Sequence, residues 1–251
     1  IFDKTPFYAE MGGQLGDSGF ALIDDVHVPI LDTVKNESGY YLHKTNLQGI
    51  DTFIGKSALL SVDTVRRNSI QRNHTATHLL HWALRDILGQ HVHQSGSLVA
   101  HDYLRFDFNH IEQTNKNELQ AIESCINERI LENDDVSSYE IPYSKKPTDV
   151  LAFFGDKYGP IVRIVDIGGY SKELCAGTHV KQTGQIGLFK IISESAIASG
   201  TRRIEAIVGM TAYDLMAQNH NLLHNLTQKL SCKFGQLNQR FESLIEHRNN
   251  L

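Results

Sequence analysis

Apolar residues recur with different periods along the chain, and the changes of period divide it into three parts. Residues 1–62 hold short apolar runs, FALIDDVHVPILDTV and YYLHKT, interrupted by Gly, Asp and Asn, the pattern of short strands joined by turns. They predict a small β-barrel module. Residues 63–89 predict a helix, because Val65, Ala76, Leu80, Ala83, Leu84, Ile87 and Leu88 recur at helical spacing and Gly89 supplies a stop. Over 96–109, Leu104, Phe106 and Phe108 alternate with Arg105, Asp107 and Asn109, the period-two mark of a half-buried strand. Thr114 and Asn115 are candidate caps for the helix NELQAIESCINERILEN. The apolar segments GPIVRIVDIGG, IGLFKIISESAI and TRRIEAIVG add strands, so residues 63–210 predict an α+β core. From Thr211 on, Leu215, Leu222, Leu226, Leu230, Phe234, Leu237, Phe241 and Leu244 are spaced by sevens, fours and threes. Residues 211–251 therefore predict one long amphipathic helix or coiled-coil seam, unfinished at Leu251, through which chains can pair.

Composition narrows this picture. At 251 residues and 41% hydrophobic content the chain can bury a sizeable core. No window is apolar enough to span a bilayer, and the opening IFDKTPFYAEMGG lacks the features of a secretory signal. The expectation is a cytoplasmic protein with no membrane partner. Because the chain starts without methionine and reads at once like a domain interior, it is expected to be an excised fragment. Cys125, Cys175 and Cys232 are odd in number and far apart, which suits a reducing compartment and leaves any special cysteine as ligand or nucleophile. A net charge of -5 argues against a protein that coats nucleic acid, although Arg66, Arg67 and Arg72, Lys145 and Lys146, and Arg202 and Arg203 form local basic clusters.

The candidate chemistry lies in two short segments. In NHTATHLLH, His74 and His78 are four residues apart, on one face of a helix. In CAGTH, Cys175 and His179 repeat that spacing, with Gly177 favouring a tight turn. One thiolate and three imidazoles suit Zn²⁺. His81 lies a further turn along the helix from His74 and is expected behind the ligands or in the groove. Asp166 and Glu173 are candidates to orient a ligand imidazole. A closed four-ligand zinc would only staple the domain, whereas catalysis needs a position open to water or substrate.

HTATHLLHWAL with CAGTH, preceded by TPFYAEMGGQLGDSG and followed by GTRRIEAIVG, resembles the editing region of alanyl-tRNA synthetases and of their free-standing trans-editing relatives. The resemblance covers essentially the whole chain. It implies a β-barrel, an editing core and the start of a helical linker. The implied activity is hydrolysis of Ser-tRNA(Ala) and Gly-tRNA(Ala), whose acceptor end would be the partner. It also implies one Zn²⁺ held by His74, His78, Cys175 and His179. Thr77 and Gln94 would line the editing pocket, with Gly12, Gly13 and Gln14 in a nearby glycine-rich motif and Arg203 as a further substrate contact. The aminoacylation motifs are not visible, so ATP would serve only a domain absent from this chain.

The resemblance leaves open whether zinc activates water or positions the substrate, and no Ser-His-Asp set stands out beside it. The need for a second site follows from chemistry. A pocket that accepts alanine discriminates poorly against glycine or serine, which differ by a methyl or a hydroxyl, whereas a site that hydrogen-bonds the serine hydroxyl rejects alanine strongly. Thr77 is the leading candidate for that contact. A trans-editing deacylase and a tRNA-binding module with a purely structural zinc are the alternatives.

Overall fold

A computed structural model describes residues 1–152 and 158–249. The chain divides into two compact units, Ile1–Gly209 and Met210–Leu251.

The first unit opens with β1 (Gly19–Ile23), β2 (Val26–Ile30), β3 (Asp32–Lys35), β4 (Tyr41–Lys44) and β5 (Leu59–Val62). β1 pairs with both β2 and β5, while β3 and β4 form a separate hairpin. No closed barrel forms among the described residues, which corrects the sequence expectation. Barrel closure needs a continuous staggered ladder, and these strands of four or five residues break after Ile30 into two sheets. The β1–β2 turn is made by Asp24 and Asp25, both in the left-handed region at φ 47° and 63°, a geometry that Asp tolerates and that matches hairpin twist.

Helix α1 (Thr64–Leu88) begins where Asp63 accepts a hydrogen bond from Arg66 N, the usual device for satisfying a free N–H at a helix start. Its buried face includes Leu79, Leu80, Ala83 and Leu84. Val65, in the first turn, is exposed. The expected single strand over 96–109 is two, β6 (Gln94–Val99) and β7 (Leu104–Asn109), because Ala100 N donates to Tyr103 O and reverses the chain. Phe106 and Phe108 on β7 are fully buried, as the alternation requires. Helix α2 (Lys116–Glu132) is capped by Asn115, whose side chain accepts from Asn117 N and Glu118 N while Glu118 bonds back to Asn115 N.

Three strands, β8 (Val136–Pro142), β9 (Ile161–Ile167) and β10 (Ser171–Leu174), form an antiparallel sheet in the order β10-β9-β8. A second sheet, in the order β11-β12-β7-β6, is completed by β11 (Phe189–Ala198) and β12 (Thr201–Val208). Side chains of α1, α2 and both sheets share one core, in which Leu80, Phe106, Ile126, Ile167 and Ile204 are among the buried residues. The fold is thus mixed α+β with several small sheets.

The second unit, with the residue before it, holds α3 (Gly209–Lys229) and α4 (Leu237–Asn249). The continuous helix expected from the seam is broken at Leu230–Lys233. Ser231 takes φ 48°, its N–H bonds Gln228 O, and Cys232 N bonds Thr227 O. This pair of bonds terminates helices by satisfying their last carbonyls. The seam's predicted continuation to Leu251 includes two residues, 250 and 251, that lie outside the described ones. No helix among the described residues is long and apolar enough to cross a membrane.

Candidate metal centre

Helix α1 delivers His74 and His78, and the loop after β10 delivers Cys175 and His179. One potential ligand atom from each of the four lies within 4.8 Å of the others. Cys175 Sγ is 3.4 Å from His74 Nε2 and 3.3 Å from His179 Nε2. Two ligands of a tetrahedral zinc, at about 2.3 Å for sulfur and 2.0–2.1 Å for nitrogen, would be roughly 3.6 Å apart. The four residues can therefore hold a metal ion with little movement.

The outward-facing ring nitrogens strengthen this fit. His74 Nδ1 is 2.7 Å from Gln14 Oε1, His78 Nδ1 is 2.6 Å from Glu173 Oε2, and His179 Nδ1 is 3.2 Å from Thr75 Oγ1. Each partner must accept. Gln14 Oε1 also receives Thr178 N, which fixes the amide orientation. Thr75 spends its only hydroxyl proton on Gln71 O, so the His179 ring donates to it. Glu173 accepts as a carboxylate. With Nδ1 protonated on His74 and His179, their Nε2 lone pairs are left for a metal, and His78, held against Glu173 as an ion pair, can join them once its second proton leaves.

Electrostatics points the same way. Burial pushes the Cys175 thiol up, but the imidazoles of His74 and His179 outweigh it and hold the thiol well below its ordinary value. Gly177 N also donates to Sγ at 3.4 Å. Burial and the adjacent His74 depress His179 to about 3. Burial opposes charge on His78 and Glu173, yet their attraction wins, lifting His78 to about 10 and lowering Glu173 to about 2. Two buried anions, thiolate and carboxylate, thus share the site. In the metal-free protein a proton on His78 supplies countercharge, a role that a divalent cation can take over.

The local sequence explains the loop. Cys175 N donates to Arg163 O, and the Arg163 guanidinium reaches back to Cys175 O at 3.1 Å and Gly177 O at 2.7 Å. Gly177 is required by close approach more than by turn geometry, since a Cβ there would lie 2.0 Å from His74 Cε1 and 2.8 Å from Gln14 Oε1. Gly177→Ala is accordingly expected to weaken zinc binding at least about tenfold by displacing His74 and its acceptor. Competition with a chromophoric chelator measures this, and unchanged affinity would mean that the loop yields freely.

The other sequence candidates are distributed around this centre. Thr77 is buried and donates to Asn73 O at 2.8 Å, leaving its hydroxyl oxygen able to accept. Gly12 and Gly13 form a left-handed turn at φ 62° and 86°, and a Cβ on Gly13 would meet Ser97 O at 2.6 Å. Gln94 Nε2 donates to that same Ser97, through its Oγ, at 3.0 Å, beside the glycine turn. Arg203 makes a two-pronged ion pair with Asp107, at 2.7 and 2.8 Å. His81 shares the acceptor of His78, with Nδ1 2.7 Å from Glu173 Oε1. Asp166 instead caps the β9–β10 turn by accepting from Gly169 N. The sequence reading passed over Thr75 and Arg163. Thr75 gives no signal apart from its place in HTATH, and Arg163 only that of an arginine inside an apolar strand. A cleft of about 870 Å³ adjoins the CAGTH loop, its lining including Tyr8, Tyr41, Arg163, Ala176 and Thr178.

Residues 162–205, which carry the CAGTH loop, match the family described as the threonyl and alanyl tRNA synthetase second additional domain. Residues 1–66 match the family of class II (A) tRNA synthetases. Both matches, each over less than half of the chain, are to parts of tRNA synthetases. The chain is homologous over its whole length to a segment of the alanine–tRNA ligases. It is 48% identical to that of Opitutus terrae, with all of this chain and 27% of the relative aligned. For the ligases of Bacillus cytotoxicus and Geobacillus thermodenitrificans the identity is 46%, over 98% of this chain and 28% of each relative. The chain thus spans a little over a quarter of the length of the curated relatives it matches.

Proposed function

We propose that this chain holds one Zn²⁺ at His74, His78, Cys175 and His179 and hydrolyses Ser-tRNA(Ala) and Gly-tRNA(Ala). The supporting observation is a thiol and three outward-anchored imidazoles beside a cleft whose wall includes Ala176 and Thr178 of the same loop. In the reaction, water oxygen bonds to the ester carbonyl carbon and the bond to the terminal ribose oxygen breaks, leaving a free amino acid and a tRNA hydroxyl. A bound zinc supplies Lewis acidity, by which an ester carbonyl is polarised or water made more acidic.

The chain's own residues set the geometry and choose the substrate. Glu173, Gln14 and Thr75 fix the three rings, and the Arg163 guanidinium holds the loop carbonyls. Thr77 has spent its proton on Asn73 O, so it reads serine by accepting from the serine hydroxyl. Alanine leaves that acceptor unpaired. Gln94, the Gly12–Gly13 turn and Arg203 are assigned to contacts with the acceptor end by the sequence resemblance alone.

The decisive experiment is deacylation of Ser-tRNA(Ala) by the intact chain, with and without a zinc chelator. Hydrolysis that stops on chelation and returns with zinc supports the proposal; a chain that keeps zinc without hydrolysing the ester makes the metal structural. Thr77→Val is expected to narrow the preference for seryl over alanyl ester by about tenfold, the size of one hydrogen bond to a buried acceptor. An unchanged ratio of the two rates would remove Thr77 from that role.

A further inference from the structure

We infer that Gln14, from the glycine-rich turn of the N-terminal segment, is a positioning residue of the metal centre. Its side chain selects the ring tautomer of His74, so the metal half-site on α1 is finished by a residue sixty positions upstream.

Gln14 is fully buried, which for an uncharged amide demands that its polar atoms find partners. Its Oε1 accepts from His74 Nδ1 at 2.7 Å and from Thr178 N at 2.8 Å, and its Nε2 donates to Thr178 Oγ1 at 2.9 Å. Both lone pairs of Oε1 are thereby used. Because Thr178 N can only donate, the amide cannot be flipped without placing N–H against N–H. Oε1 must therefore face His74, and the ring can satisfy it only as the Nδ1–H tautomer. Nε2 is then the lone-pair atom, and it is the one 3.4 Å from Cys175 Sγ.

The glycines before Gln14 gain a purpose from this. Met11 and Gln14 exchange backbone bonds, Met11 N to Gln14 O at 3.2 Å and Gln14 N to Met11 O at 3.1 Å, closing a two-residue turn. Gly12 and Gly13 supply its positive φ values. The turn is seated on β6 through Val99 N to Gly13 O at 2.7 Å and Leu15 N to Val99 O at 3.1 Å. GGQ is thus a rigid bracket that aims one amide at one imidazole. The inference rests on the metal reading of the four ligands, not on hydrolysis.

Two variants of the full chain test it, Gln14→Leu, which removes the acceptor, and Gln14→Glu, which keeps one. In the metal-free protein, nitrogen NMR of the imidazoles is expected to show His74 protonated at Nδ1 in the natural chain and in Gln14→Glu, and a mixed tautomer in Gln14→Leu. Zinc affinity by chelator competition should fall about 10- to 100-fold in Gln14→Leu, the range seen for partners behind metal ligands, and recover in Gln14→Glu to within about threefold. A His74 tautomer and zinc affinity unchanged in Gln14→Leu would overturn the inference. Should Gln14→Leu fail to fold, Gln14→Glu decides alone: a folded chain that loses the Nδ1–H signal refutes it. A natural chain that binds zinc without deacylating removes the hydrolytic proposal and leaves this one standing, while one that binds no zinc overturns this one as well.

Discussion

Cys175→Ala is expected to strip zinc from the chain and to slow hydrolysis of Ser-tRNA(Ala) by more than about a hundredfold, beyond the 10- to 100-fold typical of partners that only orient a ligand. The expectation rests on charge as much as geometry. Cys175 brings the thiolate, and its Sγ is the atom shared between His74 and His179 at 3.4 and 3.3 Å. Without it three imidazoles remain, a weaker set with no anionic donor. The fold should survive, because the backbone bonds that hold the loop run from Cys175 N to Arg163 O and from the Arg163 guanidinium to Cys175 O and Gly177 O. Metal content by elemental analysis, with deacylation on the same sample, measures both effects. Full activity in a metal-free variant would sink the catalytic role of the centre.

The second large effect belongs to Glu173→Gln in the metal-free protein. One carboxylate pairs with His78 by charge at 2.6 Å and with His81 by a hydrogen bond at 2.7 Å, through separate oxygens in a fully enclosed setting. A glutamine has one acceptor oxygen, so its amide N–H would face a second ring donor and the buried His78 would lose its counterion. Breaking a buried pair in this way destabilises by about 3–5 kcal/mol. The effect carries a pH signature. Glu173 falls from 4.5 to about 2 on folding, so its contribution is complete above about pH 4.5 and is lost as pH drops through 2. His78 rises from 6.5 to about 10, so its contribution is complete below about pH 6.5 and is lost as pH climbs through 10. The gap between the natural chain and the variant should be widest between about pH 4.5 and 6.5 and shrink on either side. Urea denaturation across that range reads it; a gap that does not vary with pH would show that packing, not charge, dominates.

The sequence revealed what rests on fixed local spacing. The pairs His74 with His78 and Cys175 with His179 stand out because ligand chemistry restricts residue type and a helical turn restricts interval. Helix α1 and the alternation of β7 were legible for the same reason, as one face of each meets the core. What stayed hidden depends on long-range contact. Gln14 reaches Thr178 across 164 positions, and no local pattern marks that meeting. Thr75 orients His179 from 104 positions away. The β-barrel expectation failed because alternation marks strands but not the ladder that would close them. The break in the C-terminal helix escaped notice because Ser231, rather than a glycine, occupies the left-handed position.

The distance along the chain between the two halves of the metal centre also bears on how the ion is acquired. His74 and Cys175 touch although 101 residues separate them. Closing a loop of that length in an unfolded chain carries an entropy penalty of about 4 kcal/mol, from the logarithmic dependence on loop size. Isolated halves would therefore compete poorly for a metal ion, and the complete set of donors exists only after His179 has been synthesised and packed. An ion held by all four would be a removable cross-link over a hundred-residue loop, so added zinc is expected to retard unfolding far more than it speeds folding.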